Sequence, residues 1–222
     1  MKKLSSNPFA ATDLCIFRFV EGELNVYLVK LKHSYYKGQW ALPGALVSGD
    51  EDLNQAAKRV YKEATGNTNL LLEQLHTFSN PQRDPRTRSI STAFLTFPKG
   101  KILSFAPCDK YEEGQWMEVS QIKELAYDHS KIISKALQRI SSKLNYTTIG
   151  LLLLPEKFTL SDLQEVYEYF LKNKIDKRNF RKRILSFDIL KDTGEMLTGL
   201  KARPAKLYSA KQREIITLPM FN

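Results

Sequence analysis

Gly44-Ala-Leu-Val-Ser-Gly-Asp-Glu-Asp-Leu-Asn-Gln-Ala-Ala-Lys-Arg-Val-Tyr-Lys-Glu-Ala-Thr-Gly66 reads as a loop that runs into a helix. From Asp52 to Thr65 the apolar residues Leu53, Ala56, Ala57, Val60 and Ala64 recur at helical spacing behind an acidic start, and Gly66 supplies a stop. Such a stripe needs a sheet to pack on. Upstream, between Asp13 and His33, two apolar, β-branched and aromatic runs (LCIFRFV and LNVYLVKL) flank Glu21-Gly22-Glu23, the pattern of a β-hairpin. Downstream, strands are expected over Leu71–Ser79, Ser89–Phe97 and Gln115–Val119, and a helix over Ser130–Leu144 with Ile132, Ile133, Ala136, Leu137 and Ile140 on one face. Residues 1–145 therefore read as an α/β sandwich on a mixed or antiparallel sheet.

The whole chain has 222 residues and is 42% apolar, enough for two modest domains with ordinary cores. No apolar run approaches the roughly 20 residues of a membrane span. Met1 to Pro8 lacks the apolar stretch of a secretory signal, so a cytoplasmic address with no membrane partner is expected. Cys15 and Cys108 show no metal-ligand spacing and read as reduced thiols. The formal charge of +10 favours a polyanionic partner. Its distribution is more telling, because Lys174 to Arg213 holds twelve Lys/Arg against four Asp/Glu.

That basic region belongs to a second expected domain, residues 146–222. After an apolar connector, Tyr146–Pro155, Thr159 is placed to cap a helix in which Leu163, Val166, Tyr167, Phe170 and Leu171 repeat at helical spacing. Lys172–Ile175 is a short turn and Asp176 a second cap, opening a helix over Lys177–Phe187; together these form a helix-turn-helix. Ile189-Leu190, a turn at Asp192-Thr193-Gly194, and Ala205–Tyr208 suggest a β-wing. On a helical wheel Phe180, Ile184 and Phe187 face inward, whereas Lys177, Arg178, Arg181, Lys182 and Arg183 project outward. The first turn of such a helix enters the major groove, where Lys177, Arg178 and Asn179 would meet base edges. Arg181, Lys182 and Arg183 would hold phosphates, and Lys201, Arg203 and Lys206 on the wing would add backbone or minor-groove contacts. The plainer alternative is a solvated basic face.

The Gly44–Gly66 segment resembles the Nudix box, G-x5-E-x7-R-E-U-x-E-E-x-G-U with U apolar, and Trp40-Ala-Leu-Pro-Gly44 leads into it as that family's sequences do. Aligned through Gly66, it keeps Glu51, Arg59, Glu63 and Gly66 but has Ala45, Val60, Ala64 and Asn67 at four motif positions. Positions 60, 63 and 64 share one helix face, where the family's clustered carboxylates hold Mg²⁺ against a pyrophosphate. Only Glu63 remains of those three, so the expectation is a catalytically silent domain with no catalytic residues, no bound metal and no cofactor. Asn80–Arg88 contains Arg83-Asp84-Pro85-Arg86, which resembles the segment found in the ADP-ribose-type Nudix branch. Glu63, Arg83, Asp84, Arg86, Arg88 and His129 are the candidate effector-binding residues. A turn with solvated arginines, and a structural role for Asp128-His129, are the alternatives.

From about Asn7 to Tyr208 the chain looks like the Nudix-related transcriptional regulators, through Lys37–Gly44, the altered box, Arg83–Arg86, Leu154–Leu160, Asp176–Lys182 and Arg203–Tyr208. The resemblance implies an α+β protein, a Nudix-like α/β/α sandwich with a mixed sheet followed by a winged helix-turn-helix domain. It also implies a homodimeric repressor that binds a double-stranded DNA operator, commonly of NAD-metabolism genes, and responds to an ADP-ribose-like nucleotide or, in other branches, a pentose sugar. A Nudix hydrolase with an accessory nucleic-acid domain, and an RNA-binding adaptor, are the competing readings.

Overall fold

The computed structural model describes residues 7–100, 105, 108–198 and 204–219. Strands β1 (Phe9–Val20) and β2 (Glu23–Leu31) form the expected hairpin. Its two-residue loop has Glu21 at φ 53 and Gly22 at φ 80, the left-handed pair whose twist matches the flanking strands. The sheet continues with β3 (Trp40–Ala41), β4 (Gly44–Leu46), β5 (Leu70–Phe78), β6 (Ser89–Pro98) and β7 (Tyr111–Glu118). Its order is β3-β2-β1-β6-β5, with β4 on β1 and β7 on β2. The β1–β6 pair is parallel and the others whose register is defined are antiparallel, so the sheet is mixed. Central β1 is buried without interruption from Ala11 to Phe17, as a strand covered on both faces must be.

Helix α1 (Leu53–Thr65) lays Ala57, Val60, Tyr61 and Ala64 into one apolar cluster with Leu14, Ile16, Tyr27, Val29 and Phe94. Asp52 accepts from the Gln55 amide while the Gln55 side chain accepts from the Asp52 amide, a reciprocal cap. At the other end Gly66 sits at φ 67 and donates to Lys62 O. Gly66→Ala is expected to destabilise by about 1–2 kcal/mol, because a Cβ is strained in that conformation; urea unfolding midpoints check it. A single 3-10 turn (Val119–Gln121) precedes α2 (His129–Leu144).

The chain divides into two compact units, one comprising the segment up to Phe17 with Asn25–Ala136, the other Arg18–Leu24 with Leu137 onward. The division thus falls inside α2. The hairpin tip belongs to the second unit: Phe19 N donates to Leu153 O at 2.7 Å, and the Phe19 ring meets Tyr169 edge-on at 5.6 Å.

In that unit the expected connector is a short helix, α3 (Ile149–Leu152), apolar on every side and fully buried. The C-terminal segment is tied to it, with Thr148 N donating to Ile216 O and Thr148 Oγ1 to Glu214 O. Helix α4 (Leu160–Leu171) opens on Thr159, which accepts from Asp162 N while Asp162 accepts from Thr159 N. Thr159→Ala is expected to cost about 1 kcal/mol, readable from the same unfolding curves. Helix α5 (Lys177–Ser186) follows, then β8 (Leu190–Leu197) paired antiparallel with β9 (Ala205–Ala210).

One local expectation is corrected here. Asp192-Thr193-Gly194 is an irregularity inside β8, between the Asp192–Tyr208 and Met196–Lys206 pairs, and β8 runs on to Leu197. Asp192 accepts from Gly194 N, Thr193 Oγ1 donates to Leu207 O, and Gly194 takes φ 74. The same residue types that make a turn thereby make a bulge that leaves the ladder intact on either side.

Candidate functional site

Helix α5 is anchored by its apolar face. Phe180 and Ile184 are each 1% exposed, and Phe180 meets the Tyr167 ring of α4 at 5.2 Å. Phe187, expected inward, is half-buried beneath the Arg183 guanidinium at 5.7 Å. The turn between α4 and α5 is held by residues that sequence reasoning did not single out. Glu168 accepts from Gln164 Nε2, Ile175 N and Lys174 Nζ, and Gln164 also donates to Ile175 O. Lys174, Gln164 and the Ile175 amide together hold the Glu168 carboxyl down to about 2. Lys172 takes the left-handed conformation at φ 56 that ends α4, and Asp176 caps α5 by accepting from Asn179 N.

The outer face of α5 is what this anchoring presents. Lys177, Arg178, Asn179 and Lys182 are exposed, and among the described residues the three cations have no ion-pair partner. Arg181 is half-buried and donates to Ser161 Oγ at 3.3 Å, so it ties α5 to α4. Cations nearby differ: Lys174 pairs with Glu168 at 2.6 Å, Lys211 with Asp188 at 2.7 Å, and wing residue Lys206 with Asp192 at 3.0 Å. Lys201 and Arg203 lie outside the described residues.

At the altered box, Arg59 forks onto two carboxylates. Its Nε donates to Glu51 Oε2 at 2.9 Å, its Nη1 to Glu63 Oε1 at 3.1 Å and its Nη2 to Leu46 O at 3.1 Å. Glu51 also accepts from Ser48 N, and Arg59 and Ser48 draw its carboxyl down to about 2. The second oxygen of Glu63 accepts from Lys110 Nζ at 2.7 Å. Val60 and Ala64 are 0% exposed, and Tyr27 Oη donates to Ala64 O. The donor set therefore does not fit the magnesium centre of the Nudix box: two of its three helix positions are apolar core, and the third carboxylate is neutralised by two cations. Among the described residues no group of three or more His, Cys, Asp or Glu is arranged to hold a metal ion.

Arg83, expected at an effector site, is buried in an ionic network. Its Nη2 donates to Asp13 Oδ2 at 2.9 Å and Asp128 Oδ1 at 2.8 Å, its Nε to Asp128 Oδ2 and its Nη1 to Ser89 Oγ. Ser91 Oγ donates to Asp13 as well. His129 is 4% exposed; its Nδ1 accepts from Leu42 N, which leaves Nε2 to carry the proton and face Asp13 Oδ1 at 3.4 Å. Burial opposes ionisation of Asp13, but His129, Arg83 and Ser91 outweigh it and hold its carboxyl at about 2. A Cβ on Gly44 would collide with Asp13 Oδ1 and the Thr12 carbonyl, which is why the chain needs glycine there. Asp13 was missed in the sequence, although a lone carboxylate at the head of an apolar strand was the available signal.

The remaining candidates sit at the rim. Asp84 is 8% exposed and accepts from Arg86 Nε at 3.0 Å, Arg86 Nη2 at 2.8 Å and Arg86 N at 3.0 Å. Arg86 itself is exposed, and Arg88 is half-buried with Nη1 on Ser89 O. The structure brings Arg83, His129, Asp13 and Asp128 into one network and leaves Arg86 turned outward on Asp84; Glu63 belongs to the separate Arg59–Lys110 cluster.

A mixed-sheet domain with a Nudix-type loop and helix, followed by a capped helix pair and a two-stranded wing, defines a regulator of the Nudix and winged-helix class. Residues 9–137 match the NUDIX domain, and residues 150–210 match the NrtR DNA-binding winged helix domain. The chain belongs to the NrtR family of Nudix-related transcriptional regulators. It is 31% identical over 206 residues to the ADPR responsive transcriptional repressor NtrR of Acinetobacter baylyi, covering 91% of this chain and 82% of that protein. It is similar to Shewanella oneidensis NrtR complexed with a 27mer DNA, at 31% identity and a TM-score of 0.78 over 91% of this chain and 93% of that one. The NUDIX domain of Shewanella oneidensis NrtR complexed with ADP ribose matches at 25% identity and a TM-score of 0.57, over 63% of this chain and 93% of that one. Among the described residues no helix is long and apolar enough to cross a membrane.

Proposed function

We propose that this protein is a cytoplasmic repressor that binds a duplex operator as a homodimer and responds to an ADP-ribose-like nucleotide, with NAD-metabolism genes as its targets. The observation that carries the DNA-binding reading is the exposed face of α5, where Lys177, Arg178 and Lys182 have no ion-pair partner among the described residues, while nearby Lys174, Lys206 and Lys211 are paired. An uncompensated row of cations on an anchored helix attracts a polyanion, and each phosphate it neutralises releases counterions. Lys177, Arg178 and Asn179 take the base edges; Lys182 and Arg183 take phosphates, with Arg181 bracing α5. Lys206, shared with Asp192, and Lys201 and Arg203 complete the wing contacts.

The Nudix domain serves as a sensor and not as a hydrolase, because Val60 and Ala64 are packed core and Glu63 is held by Arg59 and Lys110. Arg86 and Arg88 contact the effector's charged groups, with Glu63 at the box; Arg83, Asp84 and His129 position that loop. Effector binding alters the spacing of the two winged helices in the dimer, and half-sites at fixed helical spacing convert a small change into release.

The test is fluorescence anisotropy of the full-length protein against duplexes from its own promoter region, at fixed salt, with ADP-ribose, NAD or L-arabinose. Sequence-selective binding altered by ADP-ribose supports the proposal. A response to L-arabinose alone moves the protein to the sugar-responsive branch, and sequence-blind binding overturns the operator assignment. Mg²⁺-dependent release of AMP from ADP-ribose at ordinary enzymatic turnover would overturn the catalytic silence.

A further inference from the structure

Three tyrosines beside the Arg83–Asp84–Arg86 loop form, together with Arg86, an arrangement whose aromatic part the charge-based reading of the effector site leaves unused. Tyr35 meets Tyr36 edge-on at 5.0 Å between ring centres, and Tyr36 meets Tyr127 at 4.7 Å. The Arg86 guanidinium lies 5.5 Å from the centre of the Tyr127 ring, and Tyr127 also packs on His129 at 5.2 Å. The inner members are well held. Tyr36 and Tyr127 pack against the apolar cluster of the first unit, and Tyr127 takes a left-handed φ of 57, rare for an aromatic residue and sustained only where the surroundings dictate it.

The outer members face solvent. Tyr35 is 70% exposed, the largest exposure of any large apolar or aromatic side chain among the described residues. Arg86 is exposed with its Nε and Nη2 on Asp84, so the guanidinium plane is fixed while Nη1 is left for an outside acceptor. A solvent-facing tyrosine ring, two edge-on ring contacts away from the Tyr127 ring that the oriented guanidinium covers, is suited to a ligand that is planar at one end and anionic at the other.

We propose that Tyr35, backed by Tyr36 and Tyr127, is the stacking wall for the nucleobase of a nucleotide effector, with Arg86 receiving an adjacent phosphate. This inference rests on the nucleotide-effector reading above and adds its specificity: the site discriminates a base-bearing ligand from a free sugar phosphate. A tyrosine face suits any purine or pyrimidine, so recognition comes from stacking.

Isothermal titration calorimetry of the full-length protein and its Tyr35→Ala and Tyr35→Phe variants, with ADP-ribose and with ribose 5-phosphate, tests it. Tyr35 is exposed, so both variants should fold; circular dichroism and the unfolding midpoint verify that. Tyr35→Ala is expected to bind ADP-ribose about tenfold more weakly, with Tyr35→Phe close to the parent protein. Ribose 5-phosphate is expected to bind the parent weakly and to be indifferent to both substitutions. Unchanged ADP-ribose affinity in Tyr35→Ala overturns the stacking wall while leaving the nucleotide effector in place. Ribose 5-phosphate binding the parent as tightly as ADP-ribose does the same, and a parent protein that titrates with neither overturns both readings.

Discussion

Arg83→Leu is expected to remove about 3–5 kcal/mol of folding stability, the largest single-residue effect foreseen for this protein. The Arg83 side chain is 5% exposed and lies between Asp13 and Asp128, whose side chains are 8% and 9% exposed. Leucine leaves two buried carboxylates without their shared cation, and Ser91, Ser89 and His129 do not replace a full charge. The destabilisation should depend on pH with a definite sign. The folded-state pKa of Asp13 is about 2, below its ordinary value of 3.8, so its contribution is complete above about pH 4 and is lost as the pH falls toward 2. Urea unfolding at pH 7 should therefore show a large gap between parent and variant, and the gap should narrow when both are measured near pH 3. A variant with an unchanged midpoint at pH 7 would show that the network does not hold this loop to the sheet.

Arg178→Ala and Lys182→Ala should weaken DNA binding in different ways, although both remove one exposed cation from α5. Arg178 is in the first turn beside Asn179, where a bidentate contact to a guanine edge is worth about 1–3 kcal/mol of discrimination, so its loss should relax preference at one base position. Lys182 is one turn further on, a point charge suited to phosphate. Its loss should weaken every duplex similarly and reduce the slope of log K against log salt by about 1. Anisotropy titrations of operator and scrambled duplexes over a salt series separate the two. Identical behaviour of the variants would refute the division between base reading and phosphate anchoring.

The helix pair of the second unit was legible because its determinants are local. Thr159 with Asp162, and Asp176 with Asn179, are caps closed within three residues, and the spacing of Phe180 and Ile184 faces them inward whatever the rest of the chain does. The hairpin, α1 and its Gly66 stop were legible on the same grounds. The Asp192–Gly194 bulge was not, since turn and bulge draw on the same residue types and only the length of the partner strand distinguishes them.

For the effector site the balance was different. The box substitutions at Val60 and Ala64 could be read directly, because helical periodicity places those positions on a common face before any fold is known. Arg83 could be read only as a cation in a loop. That it turns inward depends on Asp13, 70 positions away on β1, and on Asp128, 45 positions away at the start of α2. A guanidinium goes to solvent or to ligand unless buried carboxylates are brought to it; the parallel pairing of β1 with β6 sets Asp13 in place, and Asp128 is brought in just ahead of α2. Short-range chemistry thus decided which elements form, which helix is basic and which box carboxylates are missing. Long-range strand register decided which arginine holds the scaffold and which one, Arg86, is left facing outward.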